Sequence, residues 1–133
     1  MSTVSCLLID DDPEEHEIFM ISIEQNFDCS ASWSASSIQQ AIADVENGIR
    51  PIPACIFIDW SVIRDNPAAG HSALKSAFPN LAGKFIVLSG VLPQVDHAHK
   101  QLFNFREKQC SIEQNAAMLK TMINLSRPQR WVV

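Results

Sequence analysis

Residues 4–13 read V-S-C-L-L-I-D-D-D-P, an apolar run that breaks on three successive aspartates, Asp10, Asp11 and Asp12, and then meets Pro13. The run from Val4 to Ile9 is short and nearly continuous in apolar character, which predicts a strand covered on both faces. Proline has a fixed φ and no N–H to leave unpaired, so Pro13 suits the first turn of a helix. Beyond it Phe19, Met20, Ile23 and Phe27 recur at helical spacing, predicting a helix from Pro13 to about Gln25. Buried strand, acidic turn and amphipathic helix together open a β/α unit.

The alternation continues outward from this stretch. Cys29 to Ala35 alternates weakly, as an edge strand does, and Ser36 or Ser37 then caps a helix whose apolar face is Ile38, Ala41, Ile42 and Val45. Gly48 ends that helix. Pro51 and Pro53 lead into a third strand, Ala54 to Ile58. Leu74, Ala77, Phe78 and Leu81 mark a helix near Ser72 to Phe78, and Lys84 to Leu88 is a fourth strand. Gly90 to Lys100 is weakly patterned and predicts a short, labile helix. Leu102 to Phe105 reads as a fifth strand, and Ile112, Ala116, Leu119 and Ile123 line a last helix that stops before Pro128. The expectation is an α/β fold with five β/α units, a doubly wound five-stranded parallel sheet and five helices, occupying residues 1–126 as one domain with a tail over 127–133. In such a fold, chemistry collects at the carboxyl ends of the strands.

Composition narrows the classes of function. Of 133 residues 47% are apolar and 19% charged, as in ordinary globular domains, and 10 basic side chains stand against 15 acidic ones. A net charge of −5 argues against direct nucleic acid binding or attraction to an anionic membrane. With no apolar run near the roughly 20 residues of a membrane span and no export signal, a cytoplasmic location is expected. The four cysteines, Cys6, Cys29, Cys55 and Cys110, form no C-x-x-C pair, and Cys6 and Cys55 sit inside strand-like runs, so buried free thiols are expected.

Taken in order, the strand ends carry Asp10, Asp11 and Asp12, then Asp59, then Ser89, with Lys108 just after the fifth. Several carboxylates crowded in a half-desolvated cleft repel one another unless a cation offsets them. Mg²⁺ favours carboxylate and carbonyl oxygen, keeps several waters, and leaves room for a phosphoryl oxygen. An aspartate can itself attack phosphorus to form an acyl phosphate, and Asp59 is placed for that role. Lys108 and Ser89 offer an ammonium and a hydroxyl to the phosphoryl oxygens.

The motifs L-L-I-D-D-D-P, I-F-I-D-W, I-V-L-S-G and F-R-E-K, in this order across essentially the whole chain, resemble those of CheY-like receiver domains of bacterial two-component response regulators, in their single-domain form. The resemblance implies a flavodoxin-like sheet of strand order 2-1-3-4-5. It implies Asp10 and Asp11 as the acidic pair holding Mg²⁺, Asp59 as phosphoacceptor and metal ligand, and Ser61 as donor of a backbone carbonyl to the metal. Ser89 becomes the switch hydroxyl, Phe105 the aromatic switch and Lys108 the phosphate-binding lysine. The expected function is a phosphoacceptor switch that catalyses its own phosphorylation and dephosphorylation. A sensor histidine kinase or histidine phosphotransfer protein would be its donor and a further protein its target, reached through the fourth helix, fifth strand and fifth helix. Two departures stand out: Gln109 follows Lys108 where the family usually has a cis-linked proline, and the loop W-S-V-I-R-D-N-P-A-A-G after Asp59 lacks the usual Met-Pro pair.

Other readings compete. Gln109 and the altered loop would also suit a receiver-like binding module that has given up phosphorylation. The Asp10-x-Asp12 spacing would suit a small haloacid-dehalogenase-like phosphatase with its nucleophile on the first strand. Asp12 alone reads as a helix cap paired with Glu15. His97 and His99, two apart on a helix, point in different directions and read as surface residues. Phe105 reads as a core aromatic whatever else it does, Trp60 as a residue that shields the pocket or forms part of its rim, and Trp131 as a tail residue that packs back or meets a partner.

Overall fold

The computed structural model describes residues 2–81 and 85–126. Its elements run β1 (Cys6–Ile9), α1 (Pro13–Glu24), β2 (Trp33–Ala35), α2 (Ile38–Glu46), β3 (Cys55–Asp59), α3 (Trp60–Ile63), α4 (Pro67–Ala77), β4 (Phe85–Ser89), α5 (His97–Leu102), β5 (Phe103–Glu107) and α6 (Ile112–Ser126). All strand pairings are parallel and the order is β2-β1-β3-β4-β5, the expected flavodoxin-like arrangement. The expectations for Lys84, Pro128, Trp131 and the tail over 127–133 fall outside the described residues.

The strand period of two sorts side chains between two helical layers. Leu7, Ile9, Ile56, Ile58 and Val87 face Ile38 and Ala41 of α2, Ile63 of α3, and Leu74 of α4. Leu8, Phe57, Ile86 and Leu88 face Phe19 and Ile23 of α1 and Leu119, Met122 and Ile123 of α6. Because β1, β3 and β4 are buried along their whole length, their carboxyl ends are held rigidly side by side.

Among the described residues six helices stand where five are expected, and the difference lies after Asp59. The Asp59 carboxylate caps a single turn, Trp60–Ile63, by accepting the Ser61 N–H at 3.0 Å. Asn66 then caps α4, with Pro67 at its first position, so that helix begins five residues before the expected Ser72. Its Gly70 presses close to α3: a Cβ there would meet Ile63 Cγ2 at 3.0 Å. Strand limits also shift. β1 loses Val4 and Ser5, and β2 begins at Trp33 rather than Cys29 because Asp28 ties its own turn by accepting the Ser30 N–H. β5 runs on to Glu107, two residues past its expected end. Gly48, at φ +72°, closes α2 as its sequence position implied, and α5 is short, with none of its residues fully buried.

Candidate functional site

Asp10 follows β1, Asp59 ends β3, Ser89 ends β4 and Lys108 follows β5, so the strand order places all four at one edge of the sheet. Asp10, Asp11 and Asp59 each bring one carboxylate oxygen to within 4.8 Å of the others. Asp11 is exposed, whereas Asp10 is only 2% exposed. One oxygen of Asp10 accepts the Asp12 N–H at 3.0 Å; the other, Oδ2, is buried without any hydrogen bond. Burial, with the Asp59 charge adding to it, pushes the Asp10 carboxyl up to about 6 despite that N–H and the Lys108 ammonium. A buried carboxylate oxygen with no hydrogen-bond donor, beside two further carboxylates, fits a hard divalent cation.

Lys108 Nζ lies 2.5 Å from Asp59 Oδ1, 3.7 Å from Asp10 Oδ2 and 3.8 Å from Glu15 Oε2. It reaches the cluster without a proline after it, since every peptide bond among the described residues is trans. What holds the loop is its backbone: the Lys108 N–H donates to the Ser89 carbonyl at 2.7 Å, while Gln109 folds back to donate to the Glu107 carbonyl at 2.8 Å. Burial pushes the Asp59 carboxyl up, but the hydrogen bonds from Lys108 and Ser61 outweigh it and hold the group below the usual carboxylate range. Burial likewise pushes Lys108 down, and Asp59, Glu15 and Asp10 together raise it above its ordinary value. Asp59 is therefore ionised at neutral pH, with Oδ1 on Lys108 and Oδ2 on the N–H and hydroxyl of Ser61.

The other expected site residues stand nearby in different engagements. The Ser89 hydroxyl donates to the Val91 carbonyl at 2.5 Å, within its own loop. Phe105 is half-buried at the border of the core rather than inside it, because β5 is an edge strand. Its ring meets Trp60 edge-on with centroids 5.7 Å apart and Phe103 at 6.0 Å. Asp12 caps α1 by accepting the Glu14 N–H at 3.0 Å, but Glu15 does not complete a capping box; its carboxylate turns to Lys108. Glu15 is thus a site residue that sequence reasoning missed, and its position in the first turn, directly after the acidic strand end, was the available signal. His16, also missed, donates from Nε2 to the Asp10 carbonyl at 2.5 Å. His97 and His99 engage different partners, Gln101 and Asp96, as their spacing implied.

Among solved structures, a response regulator from Thermotoga maritima superposes with a TM-score of 0.67 at 17% identity, over 92% of this chain and 98% of that one. A CheY-like response regulator receiver domain from Methylobacillus flagellatus gives 0.63 at 21%, over 91% and 99%. The fold is that of a receiver domain. The response regulator domain of Thermotoga maritima CheB gives 0.65 at 14%, over 93% of this chain and 96% of that domain. No family model and no curated protein matches the chain. In the receiver fold the acidic cluster and Lys108 lie where β1, β3 and β5 end, next to the point at which strand order reverses. No helix among the described residues is long and apolar enough to cross a membrane.

Proposed function

We propose that this chain is a phosphoacceptor switch of a two-component relay, taking a phosphoryl group onto Asp59 from a phosphohistidine of a sensor kinase or phosphotransfer protein. The observation that carries the reading is the Lys108 ammonium set 2.5 Å from Asp59 inside a cluster of three carboxylates. Asp10, Asp11, Asp59 and the Ser61 backbone carbonyl would hold Mg²⁺. When bound, the ion supplies positive charge against the carboxylates and the incoming phosphoryl oxygens. Asp59, ionised at neutral pH, attacks phosphorus through Oδ1; the phosphorus–nitrogen bond breaks and the donor imidazole keeps the electron pair. Lys108 passes from Oδ1 to a phosphoryl oxygen, keeping its charge throughout. Ser89 exchanges its Val91 partner for the phosphoryl group, and Phe105 leaves Trp60 to follow it. These moves alter the α5–β5–α6 surface, which is read by a protein target.

The test is incubation with phosphoramidate or acetyl phosphate and Mg²⁺, followed by intact mass measurement. The parent chain gains one phosphoryl group, and Asp59→Asn does not. If the parent shows no gain with either donor, the chain is a binding module that works without phosphorylation.

A further inference from the structure

The opposite end of the sheet holds a second chemical feature. Cys6 opens β1 and Cys55 opens β3, and the two are register partners on neighbouring parallel strands. Their side chains lie on the same face, within the core layer that includes Leu8 and Phe57. Adjacent strands run about 4.8 Å apart. That separation lies inside the roughly 4.4–6.8 Å between α-carbons that a disulfide spans. Both are reduced thiols, 1% and 7% exposed, and both line a cavity of about 260 Å³ bordered by Ser5, Ala54, Ile123 and Ser126. Hydrogen peroxide needs little more room than two waters, roughly 60 Å³.

We propose that Cys6 and Cys55 form a peroxide-oxidisable dithiol, a redox modification site at the amino-terminal edge of the sheet. Cys55, the more exposed of the pair, is the attacking sulfur. A hydrogen bond from the Cys6 thiol outweighs burial and draws Cys55 below its ordinary value, and Ser126 Oγ lies 3.6 Å from its sulfur. Cys29 has the opposite environment: burial and the neighbouring Glu24 carboxylate push its thiol up. In the first step the Cys55 thiolate bonds to one peroxide oxygen, and the O–O bond breaks. The products are a sulfenic acid and a hydroxide, which takes the proton released by Cys55 and leaves as water. In the second, the Cys6 sulfur bonds to Cys55 Sγ and the sulfenic oxygen departs as water with the Cys6 proton. Two thiols are oxidised and one peroxide is reduced to two waters. The cross-link fastens together the starts of the two strands whose far ends carry Asp10 and Asp59.

The experiment uses the full chain with Cys29→Ser and Cys110→Ser, so that only this pair remains. Native protein is treated with a small molar excess of hydrogen peroxide, denatured, alkylated and analysed without reduction. The expected result is loss of two hydrogens, no alkylation at either residue, and a peptide joining Cys6 to Cys55 that dithiothreitol separates. Adding Cys6→Ser, which keeps a hydrogen-bond donor beside Cys55 but no second sulfur, should stop the reaction at a Cys55 sulfenic acid, trapped by dimedone. Full alkylation of both thiols after peroxide would overturn the proposal, as would oxidation of Cys55 to sulfinic acid while Cys6 stays alkylatable.

Discussion

Replacing Asp10 with asparagine should make the metal-free protein more stable at pH 8. In the folded chain burial raises the Asp10 carboxyl from 3.8 to about 6. The folded state thus holds this proton more tightly than the unfolded chain, so the stability contributed by the group falls as pH rises between those values and stays lost above about pH 6. Taken over the full interval, the loss is ~3 kcal/mol at pH 8. At pH 5 about half of it, ~1.6 kcal/mol, has accrued. Asparagine carries no charge there and keeps an acceptor for the Asp12 N–H; the attraction of Lys108 is already counted in the value of about 6, but the new amide N–H groups would be buried where Oδ2 has no hydrogen-bond partner, so ~3 kcal/mol is the upper limit of the gain. For a domain of this size that is a rise of up to about 10 °C in Tm. Thermal and urea melts of both proteins at pH 5 and pH 8 in chelator measure it. With Mg²⁺ added, the parent should recover the difference, because an ion held by the native state alone stabilises it. A variant less stable than the parent at pH 8, or an advantage that does not shrink at pH 5, would refute the reasoning.

Two further substitutions test the packing around the cluster. Lys108→Ala leaves Asp10 and Asp59 without their shared cation and should cost about 1–3 kcal/mol at pH 8. Urea melts should show a smaller loss at pH 5, where Asp10 is protonated; an equal loss at both would mean that Lys108 acts through packing instead. Gly70→Ala drives a methyl against Ile63 Cγ2 at 3.0 Å and Ile38 Cδ1 at 3.4 Å. The overpacking should cost about 1–3 kcal/mol and outweigh the gain of ~1 kcal/mol in helix propensity. A variant with a higher Tm than the parent would show that α3 yields freely.

What could be read in the sequence was whatever one local pattern decides. The wholly buried strands β1, β3 and β4 announce themselves as apolar runs, and their ends put Asp10, Asp59 and Ser89 at a common edge once a parallel sheet is accepted. Ser37 and Gly48 bracket α2 through cap chemistry that depends only on neighbouring backbone. Features needing two distant segments were not legible. The early start of α4 depends on Asn66 and Pro67, whose strong helix-opening pattern lay inside a stretch read as a loop because its apolar spacing is poor. Glu15 fits a capping box by sequence, and only the approach of Lys108 from a segment over ninety residues away draws its carboxylate aside. The reach of Lys108 was obscured by Gln109, because the anchor that replaces the expected proline is a backbone bond to Ser89, to which side-chain identity is blind.

Asp59 finishes β3 and, with the same carboxylate, begins α3. Phosphorylation at Oδ1 would turn Oδ2 from half of an anion into a neutral carbonyl, an acceptor whose hydrogen bonds are roughly half as strong. The grip on Ser61 would slacken although nothing had touched it. Trp60, first in that turn and in contact with Phe105, would be the earliest residue to register the change, so bond-making at one atom is transmitted to an aromatic neighbour through the loss of a single negative charge.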